Sequence, residues 1–176
     1  MLVVIAGPGG VGKDTVARLV CDQDPRFAVS RSWTTRGPRA GEDPAAYTFV
    51  NRDEFEARIA AGGFLEWAEY HDNLYGTPSP DPDDPRHLIL VIETKGARHV
   101  IEHHTGEVFM ILLEPPSPDV QAQRLRDRGD DEESVQRRVA VAVAEVEEGR
   151  ELAHVAVVND ELTRAVVQVR RILEDR

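Results

Sequence analysis

The sequence predicts a three-layer α/β fold: a parallel sheet flanked by helices, carrying a small mixed α/β insertion. Three observations point to it. The chain opens on a short apolar run, Leu2-Val3-Val4-Ile5, which breaks into Gly7-Pro8-Gly9-Gly10-Val11-Gly12-Lys13-Asp14-Thr15. Two later runs, residues 88–92 and 108–113, are continuously apolar rather than alternating, as strands buried on both faces are. Strand-like segments then alternate with helix-like ones, the pattern of a parallel sheet built from βαβ units.

The opening segment carries the chemistry. Gly7 and Gly12-Lys13 stand at the G-x-x-x-x-G-K spacing of a phosphate-cradling loop between a strand and a helix. Glycines let successive N–H groups turn around an anion with no Cβ in the way. The helix that follows adds unpaired N–H groups and the positive end of its dipole. Lys13 supplies a movable point charge for the terminal phosphates. The strand before it and the amphipathic Val16, Leu19 and Val20 after it argue against an ordinary glycine-rich turn. One position is off-pattern: Asp14 stands where a Mg²⁺-ligating Ser or Thr is usual, with Thr15 one step later.

The remaining elements follow in order. The first helix is expected to run to about Cys21 and stop before Asp24-Pro25. Residues 26–30 read as a short strand. Residues 30–42 hold three arginines (Arg31, Arg36, Arg39) and four hydroxyl side chains, with too much Gly and Pro for a helix. Such a loop can place guanidinium forks on a phosphate; on composition alone a solvated basic turn is the plainer reading. Residues 47–50 alternate like a strand. Asn51-Arg52-Asp53-Glu54 looks like a capping box opening a short helix with Phe55 and Ile59 on its apolar stripe, ended by Gly62-Gly63. Residues 64–70 and 74–77 read as strands joined by a turn at His71-Asp72-Asn73. The Pro/Asp-rich residues 78–85 are excluded from helix and central strand. After the apolar run at 88–92, Glu93 sits at a strand's carboxyl end, where open α/β sheets bind ligands. Helices are expected at 95–104, from Ser117, at 132–148 and at 160–173, with strands at 108–113 and 154–158. In the last helix Leu162, Val166, Val169 and Ile172 are expected to face inward.

Composition bounds the function. With 41% hydrophobic and 30% charged residues, the 176-residue chain has material for a real core and suits one α/β domain with inserted subdomains. A formal net charge of -11 argues against a protein that coats nucleic acid or anionic membrane, though not against a local basic pocket. A single cysteine, Cys21, excludes an intramolecular disulfide. No signal peptide or membrane-spanning run is read, so a cytoplasmic protein is expected. His99 and His103 stand at i,i+4 with His104 adjacent, a spacing that can bind metal; no third ligand converges in sequence, and a helix-end histidine pair is the plainer reading.

With these segments in place, the chain resembles the guanylate kinases, P-loop nucleoside monophosphate kinases, over nearly its whole length. The stretches that carry the resemblance are Ser32-Trp33-Thr34-Thr35-Arg36-Gly37-Pro38-Arg39-Ala40-Gly41-Glu42, Tyr47-Thr48-Phe49-Val50, Glu54-Phe55, Phe64-Leu65-Glu66-Trp67-Ala68-Glu69 and Tyr75-Gly76-Thr77. Arg124-Leu125, Arg128-Gly129, Arg138 and Val158-Asn159-Asp160 follow. The resemblance implies a P-loop kinase core (1–29, 86–117 and 139–176), a GMP-binding insertion (30–85) and a helical lid (118–138). It implies ATP held by Gly7, Pro8, Gly9, Gly10, Val11, Gly12, Lys13, Asp14 and Thr15, with Asn159 near the base or ribose. Arg36, Arg39, Tyr47 and Tyr75 would hold the GMP phosphate; Ser32, Glu66, Thr77 and Glu93 would face the guanine. Guanine presents N1–H and N2–H₂ side by side, and one carboxylate accepts both; adenine would leave a buried Glu66 unpaired. Lys13, Arg124, Arg128 and Arg138 would neutralise the moving phosphoryl group. Arg126 and Arg137 match nothing and read as ordinary helix-surface charges.

The chain departs from the family pattern in three places. Val91 and Glu93 occupy the two aspartate positions of an Asp-x-Asp-x-x-Gly stretch. The proline-rich 78–85 replaces a helix. Asp14 follows the lysine, as in loops of some phage deoxynucleotide kinases and of ribose 1,5-bisphosphate phosphokinase; a carboxylate there is a candidate Mg²⁺ ligand. The expected reaction is ATP-dependent phosphorylation of GMP, with dGMP also open. The rival readings are a kinase of another small phosphorylated acceptor such as ribose 1,5-bisphosphate, and a non-catalytic guanylate-kinase-like module that binds a nucleotide or a partner.

Overall fold

Leu2–Ala6 (β1) is buried along its whole length, because parallel neighbours flank it on both edges and helices cover both faces. A computed structural model describes residues 1–38, 43–45, 47–70, 72–81, 83–174 and 176. Arg39, Ala40, Gly41 and Glu42 of the basic stretch and His71 of the expected turn lie outside the described residues. The chain divides into two compact units, one of Met1–Val29 with Arg86–Arg176, the other of Ser30–Pro85.

In the first unit five parallel strands lie in the order β2-β7-β1-β8-β9: Phe27–Val29 (β2), His87–Val91 (β7), β1, Val108–Glu114 (β8) and Val155–Val158 (β9). The order reverses direction around β1, which makes its carboxyl end the switch point where doubly wound sheets bind ligands. Helices Lys13–Gln23 (α1) and Leu162–Glu174 (α6) cover one face, packing Val16, Ala17, Val20, Val166 and Val169 on Val3, Ile5, Ile111 and Leu113. Thr94–His103 (α3) and Glu132–Leu152 (α5) lie on the other, where Leu112 of opposite parity meets Gly149. Pro118–Asp127 (α4) is capped by Ser117, whose Oγ accepts the Val120 N–H at 3.2 Å, and has proline in its first turn, where no N–H is missed.

The second unit is a four-stranded sheet in the order β4-β3-β6-β5: Thr48–Phe49 (β4), Trp33–Thr34 (β3), Asn73–Pro78 (β6) and Phe64–Tyr70 (β5). Among its described residues the one helix, Arg52–Ala60 (α2), opens on the expected capping box. Asn51 Oδ1 accepts the Glu54 N–H at 2.9 Å, and Glu54 Oε2 accepts the Asn51 N–H at 3.0 Å. Phe55 of α2 is fully buried and stacks on Phe64 with centroids 4.5 Å apart.

Four details differ from expectation. Trp33–Thr34, placed within a loop, forms a strand, because β4 and β6 pair with it on either side and override its basic, proline-bounded context. Pro78 closes the inner strand β6, tolerated at its last pairing position beside the irregularity at Phe64. Helix α5 runs to Leu152, four residues further than expected. Leu162 is 38% exposed at the first position of α6; the inward stripe is Ala165, Val166, Val169 and Leu173. Among the described residues no helix is long and apolar enough to cross a membrane.

Both tryptophans, Trp33 and Trp67, belong to the second unit, so their fluorescence reports on it. Phe55→Ala, which empties the space against Phe64, is expected to lower stability by about 3–5 kcal/mol in urea unfolding followed by that fluorescence; a change under about 1 kcal/mol would mean that α2 is not seated as described.

Candidate active site

The phosphate loop takes its shape from its neighbours. Gly7 leaves β1 with φ of 143°, and a Cβ there would collide with the backbone carbonyl oxygen of Leu113 on β8. Gly12 caps α1 in the left-handed region at φ 92°, and a Cβ there would stand 2.8 Å from the Asn159 amide nitrogen. Lys13 Nζ folds back to donate to the Gly7 carbonyl at 2.7 Å and the Pro8 carbonyl at 3.2 Å, across the mouth of the loop. Burial lowers the Lys13 pKa from its ordinary value; the carboxylates of Glu93, Asp14 and Glu145 act in the opposite direction, and the Arg128 charge adds to the lowering. Glu145 is pushed up, first by burial and then by Glu93, with Lys13 opposing. For Lys13 burial outweighs the surrounding acids, so the net shift is downward.

Two amides fix the loop from outside. Asn159, 4% exposed at the end of β9, donates Nδ2–H to the Val11 carbonyl at 2.8 Å, and its own N–H donates to the Glu114 carbonyl at 2.9 Å. Its Oδ1 is buried without a hydrogen-bond partner in the structure. Gln121 of α4, 1% exposed, donates Nε2–H to the Gly9 carbonyl at 2.9 Å.

The three arginines expected at the transferring phosphate occupy different settings. Arg138 lies against Gly9, its Nη1 3.2 Å from where a Cβ on that glycine would stand. Arg124 donates Nη2–H to the Asn159 carbonyl at 2.9 Å. Arg128 is exposed and pairs with Asp130 at 3.0 Å. Asp14 and Thr15 are exposed in the first turn of α1, and Glu93 is the exposed residue at the N-terminal cap of α3. Arg126 makes a two-point ion pair with Glu132 at 2.9 and 2.8 Å, as an ordinary surface arginine does. His99 and His103 stack 4.2 Å apart on α3, with His103 Nδ1 2.9 Å from the His99 carbonyl.

In the second unit the strand register does the assembling. Thr34 pairs with Phe49 and Tyr75, Tyr75 with Ala68, and Thr77 with Glu66. Residues two apart on a strand share a face, so Ser32, Tyr47, Glu66, Tyr75 and Thr77 fall on one face of this sheet. The buried Thr77 hydroxyl donates to Glu66 Oε1 at 2.6 Å, and Glu66 is half-buried. The Tyr47 and Tyr75 rings meet edge-on at 6.2 Å, and the Arg36 guanidinium lies 5.4 Å from the Tyr47 ring centre and 5.6 Å from that of Phe49. A carboxylate oriented by a hydroxyl stands on the same face as two phenols and a guanidinium: one end suits paired N–H donors, the other an anion.

A family model described as guanylate kinase matches residues 1–176. The chain belongs to the guanylate kinase family. It is 44% identical over 174 residues to the guanylate kinase of Synechococcus sp. (strain CC9902), spanning 96% of this chain and 92% of that one. It is 41% identical over 179 residues to the guanylate kinase of Symbiobacterium thermophilum, spanning 98% and 84%. Among solved structures, the crystal structure of guanylate kinase from Anaplasma phagocytophilum aligns with a TM-score of 0.75 at 27% identity, over 99% of this chain and 85% of that one. A gluconokinase from Sinorhizobium meliloti 1021 aligns with a TM-score of 0.50 at 14% identity, over 98% and 95%, and shares the fold alone.

As a guanylate kinase the chain holds two polar residues that the sequence reading passed over. Gln121 stands four residues before Leu125 on the buried side of α4, and a polar residue on an apolar stripe was its signal. Glu145 had none, being one acid among several on α5.

The charge on Lys13 sets a pH dependence. Anionic phosphates bind the ammonium form, and the lowered pKa means this form is lost at lower pH than for an ordinary lysine. The ATP dissociation constant, titrated from about pH 7 to about pH 10, is expected to rise across that range; Lys13→Arg, which keeps its charge throughout, should remove the rise. Parallel profiles for both proteins would contradict it.

Proposed function

We propose that this chain transfers the γ-phosphoryl group of ATP to the phosphate of GMP, giving ADP and GDP, with dGMP a second acceptor. The observation that carries this reading is the Thr77–Glu66 hydrogen bond on the sheet face that also bears Ser32, Tyr47 and Tyr75, in a member of the guanylate kinase family with its phosphate loop intact. Guanine offers two adjacent N–H donors, and the Glu66 carboxylate, turned by Thr77, accepts them. Tyr47, Tyr75 and Arg36, with Arg39, take the acceptor phosphate; Ser32 and Glu93 add polar contacts to the base.

On the ATP side the loop N–H groups and Lys13 hold the β- and γ-phosphates. One acceptor phosphate oxygen attacks the γ-phosphorus as the bond to the β-bridging oxygen breaks, and ADP leaves with that electron pair. Arg124, Arg128 and Arg138 supply positive charge as it spreads over the moving group; within the 118–138 lid, α4 as far as Leu125 already seats on the loop, and the stretch beyond it, which carries Arg128, closes over the nucleotide. Residues 30–85 act as the GMP-binding part, and 1–29, 86–117 and 139–176 as the core. Asn159, besides holding the loop, lies on the ATP side. The protein works in the cytoplasm.

The donor set fits magnesium. Among the described residues no group of three or more His, Cys, Asp or Glu side chains forms a cage. Mg²⁺ characteristically takes one or two carboxylates, keeps several waters and completes its shell with substrate phosphates, a pattern that the exposed Asp14 beside Lys13 matches and Thr15 can support. Asp14, with Thr15, would hold the ion, whose charge would offset that of the phosphates and remove the repulsion that Asp14 would otherwise exert.

ADP release with Mg-ATP, measured against GMP, dGMP, AMP, UMP and ribose 1,5-bisphosphate, tests the reading. Turnover with GMP and not with AMP or UMP is expected, abolished by Lys13→Ala. Glu66→Gln should lower kcat/KM for GMP about a hundredfold and Thr77→Val about tenfold, with the ATP KM unchanged. Turnover of the sugar phosphate alone would overturn the guanine role of Glu66.

A further inference from the structure

We propose that Gln121 is a positioning residue of the phosphate loop: by holding the Gly9 carbonyl it aims the Gly10 N–H at the nucleotide phosphates. The proposal rests on the ATP-binding reading above and adds a residue to it.

The Gln121 side chain reaches a backbone group 112 positions away in sequence, and it does so from full burial, at 1% exposure. An amide buried without partners is costly, so this contact defines where the side chain belongs. Its consequence follows from the planarity of the peptide bond. The carbonyl of Gly9 and the N–H of Gly10 belong to one plane and point in opposite directions. Drawing the carbonyl toward α4 therefore turns the N–H away from α4. Asn159 acts in the same way one alternation along, since its hold on the Val11 carbonyl turns the Gly12 N–H outward from itself. The Gly9 and Val11 carbonyls are pinned on the protein side, the Val11 N–H is taken by the Pro8 carbonyl at 3.4 Å, and the Gly10 and Gly12 N–H groups, which share planes with the pinned carbonyls, are turned the other way.

The contact is built into the packing of α4. Leu125, one turn on from Gln121 and fully buried, presses its Cγ and Cδ2 against Gly10, both 3.0 Å from where a Cβ would stand. Glycines 9 and 10 are the part of the loop with the greatest freedom to rotate a peptide plane, because no Cβ restricts them. A donor fixed at the Gly9 carbonyl removes that freedom before the nucleotide arrives, so that binding does not have to order the loop. The same helix carries Arg124, which donates to the Asn159 carbonyl at 2.9 Å, so α4 reaches both pinned carbonyls, one directly and one through Asn159.

The experiment uses the full chain with Gln121→Leu and, as a gentler replacement of similar length, Gln121→Met. Three quantities are read: the ATP and GMP dissociation constants by calorimetry, the melting temperature, and the amide ¹H–¹⁵N shift and hydrogen-exchange rate of Gly10 without nucleotide. Expected for both variants are ATP binding weakened about tenfold, GMP binding within twofold of wild type, a folded protein, and a Gly10 amide that exchanges faster and shifts. ATP binding within twofold of wild type, or an equal loss of ATP and GMP affinity, would overturn the proposal, the second because it marks a purely structural role. An undisturbed Gly10 amide would overturn it as well. If wild type itself failed to bind ATP, the proposed function would fall, while the Gly10 amide would still decide whether Gln121 fixes the loop.

Discussion

The passage of Gly7 beneath the Leu113 carbonyl is the constraint on which the first unit depends. Strand β1 pairs in parallel register with β8 as far as Ala6 opposite Leu112, so the chain must leave the sheet against the backbone of its neighbour. Only a residue without a Cβ passes there. The parallel sheet has both faces covered, which leaves its carboxyl edge as the place for chemistry, and the strand order reverses at β1 on that edge. Loop shape, helix dipole and Lys13 all follow from that exit. The buried Asn159 and Gln121 then hold the loop from two sides, and neither belongs to the loop motif itself.

The second unit works on a different principle. Its sheet keeps an apolar face, where Phe55 and Phe64 pack and Arg58 lies 4.4 Å from the Trp33 ring centre, and a polar face built by register. Threonines on that polar side are buried but satisfied. Thr34 Oγ1 accepts the Arg36 N–H at 3.1 Å, and Thr77 donates to Glu66. A buried hydroxyl left unpaired costs free energy on the order of 1–3 kcal/mol, so these contacts fix the Glu66 carboxylate and the backbone at Arg36. Rigid first contacts of this kind lower the ordering entropy of binding.

Much of this was legible in the sequence, for physical reasons that differ by element. The phosphate loop declared itself through spacing, because the geometry tolerates few residue types at Gly7 and Gly12. The capping box at Asn51 and Glu54 was readable because both hydrogen bonds are local. The parallel strands were readable as unbroken apolar runs. Strand Trp33–Thr34 was not, since two residues carry no periodicity and its existence depends on β4 and β6, the latter more than forty positions away. Glu66 alternates with Leu65 and Trp67 in sequence and reads as a surface acid by itself; the resemblance carried by its neighbouring motifs takes it out of that class, and the pairing with Thr77 supplies the contact that sequence could not show. Gln121 showed itself only as a polar residue on the apolar stripe of α4; its contact stayed unread because the partner is a carbonyl, which has no signature in a side-chain pattern.

The most direct measurement of the central claim follows the phosphoryl group itself. Wild-type protein is incubated with Mg²⁺, GMP and ATP labelled in the γ-phosphate, and the products are separated. The expected result is label in the β-phosphate of GDP, in one-to-one ratio with the ADP formed, and no label released as inorganic phosphate while GMP remains. Label found only in inorganic phosphate, or none transferred with GMP present, would contradict a direct transfer from ATP to GMP by this chain.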